Sequence, residues 1–214
     1  MTHRRLLGIA AEGLPLIAAE LALAGLVAVW RRRLALLPLA LAGLTAHFFR
    51  DPERPLLAKE GYLYAPADGW VTLVDQIEEE RFIKGPACRI ATFLSIFDVH
   101  INRSPATGVV RYREHVSGDF RPAWQKEVSM VNERNYIGIE TAHGPILVVQ
   151  IAGLIARRIV CRPRVGQEIP CGERIGLIMF GSRTDLIFPR DVARPLVVTG
   201  ARVHGGMTPM GVWT

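Results

Sequence analysis

The sequence is poor in cysteine and in aromatic residues, and both shortages narrow the class of protein. Its three cysteines, Cys88, Cys161 and Cys171, form no CxxC pair, so we predict neither a zinc site nor a thioredoxin-like motif. An odd, small number of thiols fits a reducing compartment, in which cysteines serve as small core residues. Aromatic residues make up 7% of the chain and show no stacking pattern, which disfavours a nucleic-acid partner.

The sequence also lacks a strong excess of charged residues, although its net charge is positive. Half of its 214 residues are apolar, so global disorder is not expected. The length suffices for one domain with a sizeable core and an appendage. The formal net charge of +6 at pH 7 indicates an acidic partner, and an anionic membrane surface fits better than nucleic acid.

No apolar run reaches the roughly 20 residues that cross a bilayer comfortably. Two shorter runs, 13–30 and 34–49, flank the triplet Arg31-Arg32-Arg33. They could be a cleaved signal peptide, two spanning helices, a soluble helix pair, or a shallow hairpin that enters one leaflet. We favour membrane association, and slightly favour the hairpin, because it keeps the arginines near anionic headgroups.

The composition of the sequence changes at the polar, proline-rich stretch RDPERP, residues 50–55. Beyond it, short runs rich in Val, Ile and Thr recur at roughly ten-residue spacing between Gly, Pro and Asp. We therefore predict a hydrophobic helical membrane segment over 1–50 and a mainly β domain over 51–214. The domain is expected to be a sandwich or a partly closed barrel.

The pair Gly181-Ser182 interrupts an apolar run near the C-terminus. A glycine before a serine permits strained backbone conformations, and the serine hydroxyl could attack the preceding carbonyl. The GxSxG pentapeptide of hydrolases does not surround Ser182. Taken alone, a Gly-Ser pair is far more often an ordinary turn.

Three further motifs carry polar residues at the ends of apolar runs. In FLSIFDVHINRSP, alternation would put Asp98, His100 and Asn102 on one face, with His100 either a general acid-base or a structural histidine. In APADGWV, Asp68 either caps a turn or orients a histidine. Arginine pairs such as Arg157-Arg158 suit phosphate or carboxylate recognition, or else form a solvated basic face.

The order of these motifs resembles that of the short form of phosphatidylserine decarboxylase. The similarity comprises a hydrophobic N-terminus ending in FFRDPER, and then five motifs in family order. These motifs are APADGWV, FLSIFDVHINRSP, VNERN, VVQIAGLIARRIV and RIGLIMFGSRTDLIFP, and they cover nearly the whole chain.

The resemblance implies that the chain cuts itself at the Gly181-Ser182 bond. Ser182 would attack the carbonyl of Gly181, and elimination and hydrolysis would convert Ser182 into a pyruvoyl group. The products would be a β chain, 1–181, and an α chain, 182–214, which stay associated. The pyruvoyl cofactor would form a Schiff base with the substrate amine and convert phosphatidylserine into phosphatidylethanolamine.

The resemblance also implies roles for individual residues. His100 is the candidate for proton transfer and also for supporting cleavage, and Asp68 matches an aspartate associated with self-processing. Longer family members have a second histidine where this chain has Arg103, so either His100 serves both steps or another base assists. Arg103, Arg157 and Arg158 are candidate substrate-binding residues.

The expected partners are a phospholipid substrate and an anionic membrane, with the catalytic domain on the cytoplasmic side of the cell membrane. A homo-oligomer is possible on sequence grounds. Two alternatives stay open at this point. One is a non-enzymatic, membrane-anchored β module in which Gly-Ser is only a turn, and the other is a pyruvoyl decarboxylase for a different amino-acid-like substrate.

Overall fold

The computed structural model describes residues 5–55, 59–121, 131–153, 158–179 and 181–214. Within these ranges the chain forms two compact units, of which the first ends at Glu53 and the second begins at Arg54.

The first unit is built from two helices, α1 (Leu14–Trp30) and α2 (Leu36–Phe48), which follow two short strands, β1 (Arg5–Leu6) and β2 (Ile9–Ala10). The Thr45 hydroxyl joins the helices by donating a hydrogen bond to Glu20 Oε1 at 2.9 Å. Many large apolar side chains of the helices are nevertheless exposed: Leu16, Leu21, Leu23, Leu26, Val29, Trp30, Leu36, Leu37, Leu39, Leu41 and Leu44. In the described part of the chain, neither helix has the length and apolar character needed to cross a membrane.

The second unit consists of antiparallel strands. In the described residues these are β3 (Tyr62–Tyr64), β4 (Gly69–Glu79), β5 (Gly85–Leu94), β6 (Ile101–Arg103), β7 (Gly108–Val116), β8 (Arg134–Thr141), β9 (Gly144–Ile151), β10 (Ile159–Cys161), β11 (Glu168–Ile169), β12 (Arg174–Ile178), β13 (Ser182–Pro189), β14 (Ala193–Pro195), β15 (Arg202–Val203) and β16 (Pro209–Trp213).

Eight of these strands form one large sheet that curls into a half-barrel, in the order β11-β7-β8-β9-β13-β5-β4-β15. Two three-stranded sheets, β10-β12-β6 and β14-β16-β3, complete the unit. The prediction of a mainly β domain is therefore confirmed. The strand β13 lies near the middle of the large sheet and pairs with β9 on one side and β5 on the other.

The burial of each strand follows its place in the sheet. Strands β9 and β13 are buried on both faces, whereas β4 and β7 alternate between buried and accessible positions. Strand β9 is accordingly a nearly continuous apolar run, but the first four residues of β13 are buried polar residues. The inner face carries the main core, which includes Ile90, Ile137, Val148, Leu186 and Phe188. A smaller apolar cluster covers the outer face.

The outer cluster is covered in part by the turn between β4 and β5. Glu79, which is only 6% exposed, accepts backbone hydrogen bonds from Arg81, Phe82 and Ile83 at 3.0, 2.9 and 2.7 Å. These three bonds satisfy the carboxylate and fold Phe82 and Ile83 against the outer cluster.

We expect the substitution Glu79→Ala to lower the free energy of unfolding by about 1–3 kcal/mol, because three backbone amides lose their acceptor. Chemical denaturation followed by tryptophan fluorescence measures this change. The neighbouring Glu80→Ala is the matched control, since Glu80 is exposed, and it should be nearly neutral. Equal stability of the two variants would contradict the assigned role of Glu79.

Candidate active site

Ser182 is the first residue of β13 and lies where that strand enters the large sheet. It is opposite Leu94 of β5 and is completely buried. Among the residues that the structure describes, its Oγ has no hydrogen-bond partner. Because a buried hydroxyl without a partner costs free energy, Ser182 is a candidate for a chemical role rather than a stabilising one.

Gly181 gives the backbone before Ser182 a conformation that other residues rarely adopt. Its φ of +65° lies in the left-handed region. A Cβ at this position would meet no atom of the described residues within 4 Å, so the need for glycine is conformational rather than steric. The other side of the turn, Phe180, lies outside the described residues. The carbonyl that Ser182 would attack therefore belongs to a residue in the left-handed conformation, which glycine adopts without strain.

His100 lies immediately before β6 and is 2% exposed. Its Nδ1 is 2.9 Å from the carbonyl oxygen of Asp98. A carbonyl only accepts hydrogen bonds, so Nδ1 carries the hydrogen and Nε2 is the basic nitrogen of the neutral ring. The carbonyl of His100 in turn accepts a hydrogen bond from Ile178 N at 3.4 Å, four residues before Ser182. The backbone thus holds His100 against the end of β12.

The predicted alternation of Asp98 with His100 is not observed, because Asp98 lies in a turn. Its Oδ2 accepts hydrogen bonds from Ser95 N and Ser95 Oγ, both at 2.8 Å, while Oδ1 binds Arg202. Burial opposes a charge on Asp98, but the hydrogen bonds from Arg202 and Ser95 outweigh it, so the pKa of this carboxyl lies below its usual value. The ionised Asp98 therefore fixes the loop between Leu94 and His100.

Asp68 lies in the turn before β4 and is 5% exposed. Arg54 binds both of its oxygens, at 2.6 and 2.7 Å, and the backbone N–H of Gly205 donates to Oδ1 at 2.8 Å. His204 Nδ1 is 3.6 Å from Oδ2. The buried carboxylate of Asp68 is thus neutralised by Arg54 and joins three distant parts of the chain.

The candidate substrate-binding arginines differ in their surroundings. Arg103 is buried, and its Nη1 donates to the carbonyl of Gly172 at 3.0 Å. Arg158 is exposed, and its carbonyl accepts a hydrogen bond from Met179 N at 3.2 Å, which places it beside the segment leading to Ser182. Arg157 lies outside the described residues.

A buried ion pair follows Ser182 on the opposite face of β13. Arg183 Nε and Nη2 bind the two oxygens of Asp185 at 2.6 and 2.9 Å, and both residues are nearly inaccessible. Such a bidentate pair is stable only in a fixed geometry, because breaking it would leave a charge buried. The first residues of β13 after Ser182 are therefore held firmly.

The described cysteines do not provide a nucleophile or a metal site. Burial raises the pKa of the Cys88 and Cys171 thiols to about 11, so both stay protonated near neutral pH. Within the described ranges, no group of three His, Cys, Asp or Glu side chains is arranged to hold a metal ion.

Sequence reasoning did not identify Arg54 and Arg202, which bind the carboxylates of Asp68 and Asp98. Arg54 lies in the RDPERP stretch that was interpreted only as a domain boundary. Arg202 lies at the far end of the chain, 104 residues from Asp98. Only the charge of the two arginines was visible in the sequence, and many other arginines share it.

The sequence profile of the phosphatidylserine decarboxylase family matches residues 41–211. The chain is 48% identical to a phosphatidylserine decarboxylase proenzyme of Symbiobacterium thermophilum, over 95% of this chain and 94% of the relative. It is 43% identical to a proenzyme of the same name from Carboxydothermus hydrogenoformans, over 88% and 87%. A third, from Syntrophus aciditrophicus, is 39% identical over 96% and 97%. The chain therefore belongs to the phosphatidylserine decarboxylase family.

Proposed function

We propose that this chain is a proenzyme that cuts itself at Gly181-Ser182 and then decarboxylates phosphatidylserine to phosphatidylethanolamine. The observation that carries the proposal is the buried, unpartnered hydroxyl of Ser182 next to the left-handed Gly181, in a chain of this family. An ordinary turn serine would be expected to cap the backbone or to contact water. Ser182 is fully buried, and its Oγ bonds to no group of the described residues.

The self-cleavage uses only atoms of the chain and one water molecule. Ser182 Oγ forms a bond to the carbonyl carbon of Gly181, and the amide C–N bond breaks, which leaves an ester and a free amine. Loss of the Cα proton of residue 182 then breaks the Cβ–Oγ bond, releasing Gly181 as a carboxylate. Water then hydrolyses the resulting dehydroalanine: its nitrogen is released as ammonia, and a keto oxygen takes its place, which gives the pyruvoyl group.

The surroundings of Ser182 fit the group that this reaction would leave. The position is buried and Ser182 Oγ is committed to no described neighbour, so its departure with the Gly181 carboxylate would break no described hydrogen bond and would leave a methyl group in a buried place. A pyruvoyl group supplies a ketone that takes up a primary amine and withdraws the electron pair left by departing carbon dioxide. No ordinary side chain offers such an electron sink.

His100 is proposed as the residue that moves protons in this site. With Nδ1 committed to the Asp98 carbonyl, Nε2 can accept a proton and return it. The Asp98–Arg202 pair keeps the ring in place through the loop that ends at His100. Asp68, held by Arg54, is proposed to support self-processing by fixing the turn before β4.

Of the three candidate arginines, Arg158 is the best placed to meet the phosphate of the substrate. It is exposed and adjoins Met179. The burial of Arg103 and its hydrogen bond to Gly172 support a structural contribution at that position. The role proposed for Arg157 rests on the sequence alone.

We infer that the protein acts at an anionic membrane on the cytoplasmic side of the cell membrane. The exposed apolar side chains of the two helices and the triplet Arg31-Arg32-Arg33 between them support a shallow hairpin in one leaflet. Independently, Trp70, Ile96 and Phe97 are exposed at the strand ends nearest Ser182, where a lipid substrate must enter.

The association of the two chains after cleavage is supported by the pairing of β13. The α chain would retain its hydrogen bonds to β5 and β9, its buried Arg183–Asp185 pair, and the burial of Leu186 and Phe188.

We expect Ser182→Ala to leave the chain at full length and without decarboxylase activity, since the attacking oxygen is removed. Intact-mass measurement of the purified protein distinguishes one chain from two. Ser117→Ala, at an exposed serine, is the matched control and should be cleaved like the original protein. A Ser182→Ala protein that still splits between 181 and 182 would show that serine attack is not the reaction.

We expect His100→Gln to lower the decarboxylation rate per processed molecule by about 10²–10⁴-fold, the usual contribution of a positioned acid-base group. The rate is measured as carbon dioxide released and divided by the amount of α chain. His143→Gln is the control, because His143 is exposed and stacks on Trp213. Processed His100→Gln protein with the original rate would exclude His100 from the chemistry.

We expect replacement of Arg31, Arg32 and Arg33 by Gln to weaken binding to phosphatidylserine-containing vesicles by about 100-fold, at about 1 kcal/mol per basic residue. Vesicle sedimentation measures the partition, and neutral phosphatidylcholine vesicles should show little difference. A variant with three exposed arginines of the second unit changed to Gln, at 111, 164 and 190, has the same net charge. Equal losses in the two variants would argue against the hairpin as the anionic contact.

A further inference from the structure

A row of polar side chains crosses the inner face of the large sheet close to Ser182. Asn135 lies opposite Gln150, Gln150 opposite Thr184, and Thr184 opposite Thr92, on the adjacent strands β8, β9, β13 and β5. All four are at most 1% exposed. The next row of the same face is apolar, so the polar row is an interruption of the core that needs a physical reason.

Asn102 of β6 connects this row of polar side chains to the three-stranded sheet β10-β12-β6. Asn135 Nδ2 donates to Gln150 Oε1 at 3.3 Å, and Gln150 Nε2 donates to Asn102 Oδ1 at 2.7 Å. Asn102 Nδ2 then donates to Thr184 Oγ1 at 3.3 Å. Because Oδ1 of Asn102 accepts from Gln150, its amide nitrogen must face Thr184. The network therefore ties β6 to β13, two strands that share no backbone pairing in the described structure.

The pairing of β6 with β12 shows which residues the Asn102–Thr184 hydrogen bond brings to the same level along the strand direction. Asn102 is opposite Gly176, and Asn102 also contacts Thr184, so the chain must reverse direction between 176 and 184. Such a reversal places Ile178 at the height of Ser182. His100, whose carbonyl accepts the hydrogen bond of Ile178 N, lies at that height too.

Side-chain alternation leads to the same juxtaposition. His100, the residue before β6, is two residues from Asn102, and Ser182 and Thr184 are two residues apart at the start of β13. The reversal makes the two segments run in the same direction. With Asn102 fixed on Thr184, His100 therefore faces the position of Ser182.

We propose that Asn102 is a positioning residue for self-cleavage, and that its hydrogen bond to Thr184 aligns His100 with Ser182. The inference rests on the proposed self-processing function. As Ser182 Oγ bonds to the Gly181 carbonyl carbon, its proton passes to His100 Nε2. The same proton then moves to the nitrogen of residue 182 when the amide bond breaks.

Two substitutions of Thr184, whose Oγ1 accepts the hydrogen bond from Asn102, separate an effect on the cleavage rate from an effect on stability. Thr184→Val keeps the volume and removes the acceptor, whereas Thr184→Ser keeps the acceptor and removes a buried methyl group. Cleavage is followed as the processed fraction over time after cell-free synthesis of the full chain with phospholipid vesicles. Thermal unfolding of each variant in the Ser182→Ala background gives its stability without cleavage.

We expect Thr184→Val to cleave about 10- to 100-fold more slowly than the original chain, because loss of alignment in an intramolecular attack is costly. Thr184→Ser should cleave within a few-fold of the original rate, even if it is the less stable of the two. In a His100→Gln background, Thr184→Val should cause no further slowing, because Asn102 acts through His100. Thr141→Val and Thr141→Ser, at a hairpin turn far from Ser182 along the sheet, are the controls and should not affect cleavage.

A cleavage rate that follows thermal stability across these variants would overturn the inference, as would full-rate cleavage of Thr184→Val. An added slowing by Thr184→Val in the His100→Gln background would also overturn it. These results differ from a failure of the proposed function itself, in which the original chain would not be cleaved at all.

Discussion

The hydrogen-bonded pairing of β13 on both of its edges is the constraint on which the rest of the site depends. Each residue from Arg183 to Ile187 is registered against β5 and β9, so this strand cannot shift along its neighbours without breaking two ladders. Ser182 is the first residue of β13 and is paired only with Leu94 of β5, and Gly181 lies just outside the pairing. The bond between them thus has one side held by the sheet and one side that glycine keeps in the left-handed conformation.

This arrangement explains how a chain can lose a peptide bond and keep its fold. A bond in the middle of β13 would be buried in the sheet, where the products of cleavage could not separate enough to react further. A bond in a remote loop would be cut without consequence for the site. At the start of the strand, a new terminus at Ser182 would stay fixed by the Arg183–Asp185 pair and by the ladder, while the Gly181 side would be able to move away.

The sequence predicted the strands well because their signals are local. The β-favouring runs GWVTLVDQI (69–77), CRIATFLSI (88–96) and PILVVQIAG (145–153) overlap β4, β5 and β9, and the interruption at Gly181-Ser182 coincides with the start of β13. The polar contacts of the site were not predictable in this way. Asn102 and Gln150 are 48 residues apart, and their contact requires β9 to lie beside β13, a sheet order that periodicity does not determine. Asp98 was misplaced because alternation was extended into a turn.

Arg103 occupies the position at which the longer family members have a second histidine, and its surroundings show which part of the site that position faces. Alternation turns Arg103 away from the side on which Asn102 meets Thr184, and its guanidinium reaches Gly172. Its side chain also passes Gly206, where an added Cβ would lie 2.9 Å from Arg103 Cδ. Gly206 adjoins Gly205, which binds Asp68. Position 103 therefore faces the Asp68 cluster and not Ser182. In this chain Arg54 binds Asp68, so that carboxylate is paired without a histidine at 103, and His100 is the residue proposed as the base.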